Sequence, residues 1–247
     1  MSVIVLMYHR TPASGGEGFY DVPLASFREQ VERMIDAGVS FIRFSDCDSE
    51  TCVHRGNHVA ITFDDGDASN SEAFRFLADR RITPTAFIVR DWAKREKAYL
   101  SPGAIADLKG LCEFGGHGAS HVNLAAATDA ELTRELSASR DFLQDLLGAP
   151  VPTMALPGGK GDARVLRFAA REGYRLVGNS IPLPHARPGL SVNRICVNSR
   201  TSVAEPLRLA TAGAGYWLRR RARMAASRLG SKVLGDTVHA AAARLLK

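Results

Sequence analysis

Seven short runs of β-branched and other apolar residues recur along the chain, most of them separated by segments with helical spacing. That alternation restricts the fold more than any other feature. The runs are Val3–Met7, Val39–Phe44, His58–Phe63, Thr85–Val89, Thr153–Leu156, Tyr174–Val177 and Val192–Val197. Between them lie segments that open like helices. Ser26 and Glu29 have capping-box spacing ahead of Phe27, Val31, Met34 and Ile35, with Gly38 as a stop. Ser69 and Glu72 repeat the spacing ahead of Phe74 and Leu77. Thr128 and Glu131 precede Leu132, Leu136, Leu143 and Leu147, closed by Gly148, and Asp162 caps a segment ending at Gly173. Seven or eight strands alternating with helices predict parallel crossover units, either a doubly wound sheet or an α/β barrel, and the barrel fits the count better. The Gly/Pro stretch Ile181–Gly189 reads as a loop.

Composition adds exclusions. The 247 residues suit one large domain or a domain with an appendage. Cys47, Cys52, Cys112 and Cys196 form no CxxC pair, so they read as free thiols rather than a structural zinc site or disulfide framework. No stretch approaches the roughly 18 apolar residues of a spanning helix. The opening MSVIVLMYHR lacks the basic start and long apolar run of a secretory signal, which leads to the expectation of a cytoplasmic protein. The net charge of +6 is concentrated at one end. From Gly215 onward there are eight basic residues against one acid, Asp236, which leaves the rest close to neutral. The expected division is a catalytic domain over 1–213 and a basic helical tail over 214–247.

Two motifs carry chemistry. Thr62-Phe63-Asp64-Asp65-Gly66 follows an apolar run and precedes a helix, so both carboxylates sit at the C-terminal end of a strand, where α/β folds place reactive groups. Adjacent side chains diverge there, and one acid can bind a metal while the other stays free as a base; a turn with Asp as helix cap is the structural alternative. Gly115-Gly116-His117-Gly118-Ala119-Ser120-His121 sets two imidazoles four residues apart. Read alone, one His could cap a helix and the other lie on the surface. Together the motifs supply His, His and Asp, three ligands that leave a coordination position open, as catalytic rather than structural sites do. Such a donor set suits Zn2+ first, with Co2+ or Ni2+ as alternatives.

In these motifs and in its strand–helix order, over roughly residues 1–200, the chain resembles the polysaccharide deacetylase family (carbohydrate esterase family four, with the NodB-homology domain). The resemblance implies a distorted (β/α)7–8 barrel and metal-dependent removal of an acetyl group from an N-acetylated sugar. It also implies Asp64 as general base and Asp65, His117 and His121 as metal ligands. The family usually has Ser or Thr directly after the first His, where this chain has Gly118, so a hydroxyl that buttresses the loop is absent. Its third motif, Arg-x-Pro-Tyr-Gly, is met only by Ala155-Leu156-Pro157-Gly158-Gly159. Gly158 can still offer a backbone N–H to an oxyanion. Arg194 is a candidate to supply the missing cation, or a substrate contact, from another strand; the alternative is a surface cation. For the general acid, His9 after the first strand resembles the biofilm poly-N-acetylglucosamine deacetylases, whose motif order is permuted so that this His comes first. The alternative for His9 is a buried structural histidine. His185 is a weaker candidate for substrate contact, while His54 and His58 read as structural or exposed.

In the tail, Tyr216-Trp217-Leu218 beside Arg219-Arg220-Arg221, followed by Leu229, Val233, Leu234, Val238, Leu245 and Leu246, suggests amphipathic helices on an anionic membrane surface. A C-terminal helix packed on the barrel with a solvated basic face is the alternative. A neutral body with one basic tail gives little footprint for nucleic acid. The expected substrate is an N-acetylhexosamine in an oligosaccharide, polysaccharide precursor or lipid-linked glycan. The rival enzymatic reading is an amide or formamide hydrolase acting on a small molecule such as a nucleotide sugar or antibiotic precursor. The rival of another class is a non-catalytic carbohydrate- or membrane-binding protein.

Overall fold

The first apolar run forms β1 (Val3–Tyr8) with every side chain buried, as a strand covered on both faces requires. The computed structural model describes residues 3–47, 58–95, 97–186 and 188–226. Eight more strands join β1 in one sheet: β2 (Ser40–Phe41), β3 (His58–Phe63), β4 (Thr85–Ile88), β5 (Glu113–Gly116), β6 (Thr153–Ala155), β7 (Leu176–Gly178), β8 (Ser191–Val192) and β9 (Ile195–Cys196). The order is β8-β7-β6-β5-β4-β3-β1-β9, with β2 beside the start of β3. Each of these pairings is parallel.

The two ends of that sheet are one stretch of chain. Only Asn193 and Arg194 separate β8, which pairs with β7, from β9, which pairs with β1. A single extended segment therefore bridges the last and first strands and closes a distorted (β/α) barrel. At the opposite end of β1, His185 exchanges two backbone hydrogen bonds with Val3, both 2.9 Å.

Alternation along the strands sorts the core into two layers. Val3, Val5, Ala60, Phe87, Ala155, Leu176 and Val192, drawn from six different strands, pack together in the barrel interior. Their sequence neighbours Met154, Leu156 and Val177 face outward onto Leu132, Leu136, Val165 and Ala169 of the covering helices. The helices are α1 (Leu24–Asp36), α2 (Ser71–Ala78), α3 (Arg90–Arg95), α4 (Pro102–Leu108), α5 (Asp129–Leu147), α6 (Ala163–Arg171) and α7 (Glu205–Thr211).

The predicted helix starts fare unequally. Thr128 and Glu131 form a complete capping box on α5, and Gly148 ends that helix in the left-handed conformation at φ 66°. Asp162 caps α6 by accepting the Val165 N–H. The other two are corrected: α1 begins at Leu24 after Pro23 with no side-chain cap, and before α2 it is Asp67 that accepts the Ser69 N–H. Pro23 explains the first shift, because a fixed φ already suits a helix start. The run Val39–Phe44 keeps strand geometry only at Ser40–Phe41 before a 3-10 turn over Phe44–Asp46.

Contacts divide the chain into two units, Met1–Thr211 and Ala212–Lys247. In the second, residues 214–226 are helical, and the Trp217 indole N–H donates to Ala212 O at 3.2 Å. Leu229, Val233, Leu234, Val238, Leu245 and Leu246, like His54 and Cys52, lie outside the described residues. Among the described residues no helix is long and apolar enough to cross a membrane.

Candidate active site

Every motif residue leaves the barrel at the C-terminal end of a strand. His9 follows β1, Asp64 and Asp65 follow β3, His117 follows β5, and Pro157-Gly158-Gly159 follows β6. The strand ends converge on a cavity of about 320 Å³ lined by His9, Tyr20, Asp64, Asp65, His117, His121, Gly158, Gly159 and Ser180, among others. A larger hollow of about 720 Å³ opens at the other end of the barrel, by Glu113 and Thr153, and holds none of the motif residues.

Asp65 Oδ1 is the pivot. It lies 3.5 Å from His117 Nε2 and 3.4 Å from His121 Nε2, and it is buried without a hydrogen-bond partner. A bare carboxylate oxygen out of water is costly. Two ligands about 2.1 Å from a tetrahedral ion stand roughly 3.4 Å from each other, so these spacings are those of donors around a cation. The ring orientation agrees. His117 Nδ1 lies 2.9 Å from Ala155 O, which fixes the proton there and leaves Nε2 as the lone-pair donor facing Asp65. His121 stacks on Trp92 with centroids 4.8 Å apart. Asp65 and His121 also hold φ at 72° and 61°, two of the three non-glycine residues with positive φ among the described residues. Strain of about 1–3 kcal/mol persists where surrounding structure fixes it, as at binding sites. Asp65, His117 and His121 thus fit a divalent ion, with one donor atom each within 4.8 Å of the others.

Asp64 diverges from its neighbour, as expected at a strand end. Its Oδ1 accepts from Arg194 Nη1 at 2.6 Å and its Oδ2 from Arg194 Nη2 at 2.8 Å. Burial works to raise the Asp64 pKa, but Arg194, His117 and His9 outweigh it and hold the carboxyl at about 2. Arg194 itself is 0% exposed. Its Nε–H donates to Asn179 O at 3.1 Å, and its guanidinium lies 5.2 Å from the Phe87 ring centroid. The surface-cation alternative is therefore overturned, and so is direct substrate contact: Arg194 stands behind Asp64 and supplies charge through it. Room for it depends on Gly178, where a Cβ would come within 2.6 Å of Arg194 Nε.

His9 is held against Tyr20, centroids 4.2 Å apart, with Nδ1 buried and unpartnered. Burial lowers its pKa despite the pull of Asp64 and Asp65. Burial raises that of Cys196, also on the cavity wall. Gly158, at φ 61°, lines the cavity. Gly159 beside it allows no side chain, since a Cβ would meet Ser180 Oγ. His185 lies apart, buried at the start of β1 rather than at its end. His58 opens β3, also at the far end.

Sequence reasoning passed over Glu135, Tyr20 and Trp92. Glu135 carried a legible signal, an acid at helical spacing among Leu132, Leu136 and Leu143. Tyr20 and Trp92 carried none that separates them from ordinary aromatics.

The family profile for polysaccharide deacetylase matches residues 53–177. No curated protein matches the sequence. Among solved structures, the chain is similar to the deacetylase PplD of Streptococcus pyogenes, solved with acetate, at 23% identity and a TM-score of 0.78, over 85% of this chain and 98% of that one. BC0361, a polysaccharide deacetylase from Bacillus cereus, aligns at 24% identity and 0.74, over 85% and 69%. IcaB from Ammonifex degensii aligns at 24% and 0.72, over 85% and 97%.

Proposed function

The chain belongs to the polysaccharide deacetylase family, and from that premise we propose that it hydrolyses the acetamide of an N-acetylated sugar, releasing acetate and a free sugar amine. The observation that carries this reading is the meeting of Asp65, His117 and His121 in one cavity with a second carboxylate, Asp64, ionised beside them. A divalent ion held by those three side chains, Zn2+ first, would polarise the acetyl carbonyl and bring the pKa of a water towards neutrality.

The chain's own groups do the rest. Asp64, aimed by the Arg194 fork, accepts the proton of the attacking water; each of its oxygens retains a lone pair after the Arg194 bonds. Gly158 offers its N–H to the oxyanion of the tetrahedral intermediate. His9, on the β1 side of the cavity, gives the departing nitrogen its proton from the imidazolium form, which the charges of Asp64 and Asp65 favour against the burial that lowers its pKa. The pairing of β1 with β9 supports a permuted motif order, because a group carried by the last strand in one arrangement can be carried by the first in another.

Acetate release from N-acetylhexosamine oligomers tests the reading. The protein should be active as isolated or with added Zn2+, silent after chelation and restored by the ion. Asp64→Asn should retain the metal and lose about 10²–10⁴ in kcat. Stoichiometric metal without turnover on any N-acetylated sugar would overturn the assignment, and activity on small amides alone would favour the rival hydrolase.

The second unit supports a further proposal on substrate delivery. In the helix over 214–226, where Trp217 is buried, Tyr216 and a 70%-exposed Leu218 adjoin Arg219, Arg220, Arg221 and Arg223. We propose that this segment rests on anionic lipid at the cytoplasmic leaflet, where a lipid-linked glycan would be met before export.

A further inference from the structure

We propose that Glu135 is a positioning residue for the metal site: it sets the loop that delivers His121, and through it the affinity for the ion. This rests on reading Asp65, His117 and His121 as the ligands.

Glu135 is 5% exposed, on a face of α5 it shares with Leu132, Leu136, Ser139 and Leu143. A carboxylate there needs partners, and it finds all of them between the two histidines. Oε2 accepts the Ala119 N–H at 2.8 Å and the Ser120 N–H at 2.9 Å, and Oε1 accepts the Ser120 hydroxyl at 2.5 Å. The loop's carbonyls are held from the other side: Gly118 O accepts from Arg90 N–H at 3.3 Å and Ala119 O from Asp91 N–H at 2.9 Å. Gly118 belongs to the same arrangement. Its φ is +76°, and a Cβ would stand 3.2 Å from Glu135 Oε2. The hydroxyl missing at position 118 is thus replaced by one at Ser120 together with an acid from a neighbouring helix.

The two imidazoles depend on this clamp unequally. His117 is fixed independently by Ala155 O. His121, one residue beyond Ser120 and at positive φ, takes its backbone position from the clamped turn, and only its ring has a second support, on Trp92. Loss of the Glu135 charge therefore loosens one ligand and leaves the other.

The test is metal binding by the full chain, stripped and titrated with Zn2+ against a competing chelator, with Co2+ absorption as a report on coordination geometry. Glu135→Gln should bind about 10–100-fold more weakly and show an altered Co2+ band, with Glu135→Asp recovering part of both. Glu131→Ala, which removes the capping side chain of the same helix, should lower Tm and leave affinity and spectrum unchanged. If Glu135→Gln fails to fold, Ser120→Ala removes one of the three bonds and should still weaken binding several-fold. Wild-type affinity and spectrum in Glu135→Gln, or in Ser120→Ala where that stands in, overturn the proposal alone. A wild type that binds no ion overturns the metal reading and this inference with it.

Discussion

Two consecutive carboxylates at the end of β3 lead separate lives because of what each one faces. Asp65 looks at imidazole nitrogens and Asp64 at a guanidinium. Buried pairs of that kind matter chiefly when broken. Arg194→Lys keeps the charge but loses the fork, so kcat should fall about 100-fold through misplacement of the base with metal content unchanged. The sign of the pH effect follows from the Asp64 carboxyl, held at about 2 in the wild type. A base must be ionised, so activity is lost as pH falls through its pKa. Weakening the opposing cation lets burial raise that pKa, and the acid limb of the kcat/KM profile should move upward. An acid limb that stays put would show that Asp64 is not the titrating base. For stability, the depressed pKa contributes above the unfolded value near 3.8 and is lost as pH falls towards 2; acid unfolding should reveal it. The candidate donors were legible because His-x-x-x-His and Asp-Asp are local patterns, while the choice of Asp65 over Asp64 as the donor rested on the family resemblance. Arg194 was readable only as a cation of uncertain side, because its partner is 130 residues away.

At the scale of elements, periodicity located most strands and missed β5, the one that delivers His117. Glu113-Phe114-Gly115-Gly116 has too few side chains to show a pattern, and glycine is there because neighbours leave no room. A Cβ on Gly115 would lie 2.6 Å from Phe87, and one on Gly116 would lie 2.5 Å from the Tyr174 hydroxyl. Of the three capping-box spacings, only Thr128 and Glu131 form the box; Ser26 and Glu29 lie inside α1, which starts two residues earlier. Thr128→Ala should cost about 1 kcal/mol, a drop of about 2–4 °C in Tm for a chain of this size, with deacetylation intact. Gly178→Ala tests an element from inside the barrel. The added methyl meets Arg194 and should cost about 1–3 kcal/mol. Turnover should fall while Zn2+ uptake persists, because the ligands leave from β3 and β5. Equal loss of metal and turnover would show that the damage spreads beyond β7.

For the whole molecule, barrel topology was legible from the count and alternation of runs, since only a few arrangements bury seven parallel strands on both faces. The uneven distribution of charge was equally plain, but its purpose needs a lipid surface to test. Full-length protein should co-float with vesicles rich in anionic lipid and not with neutral ones, and Arg219, Arg220 and Arg221 changed to Glu should abolish the difference. Equal flotation of the two proteins would refute the surface role.

The stretch from Ser191 to Cys196 joins the two margins of the sheet and carries Arg194 midway along it. Zipping up the cylinder and arming its base are consequently a single event. Were that clasp to slip open, Asp64 would lose the guanidinium fork that aims it. A copy with its seam undone would then keep its imidazoles in place and still lack an aimed base.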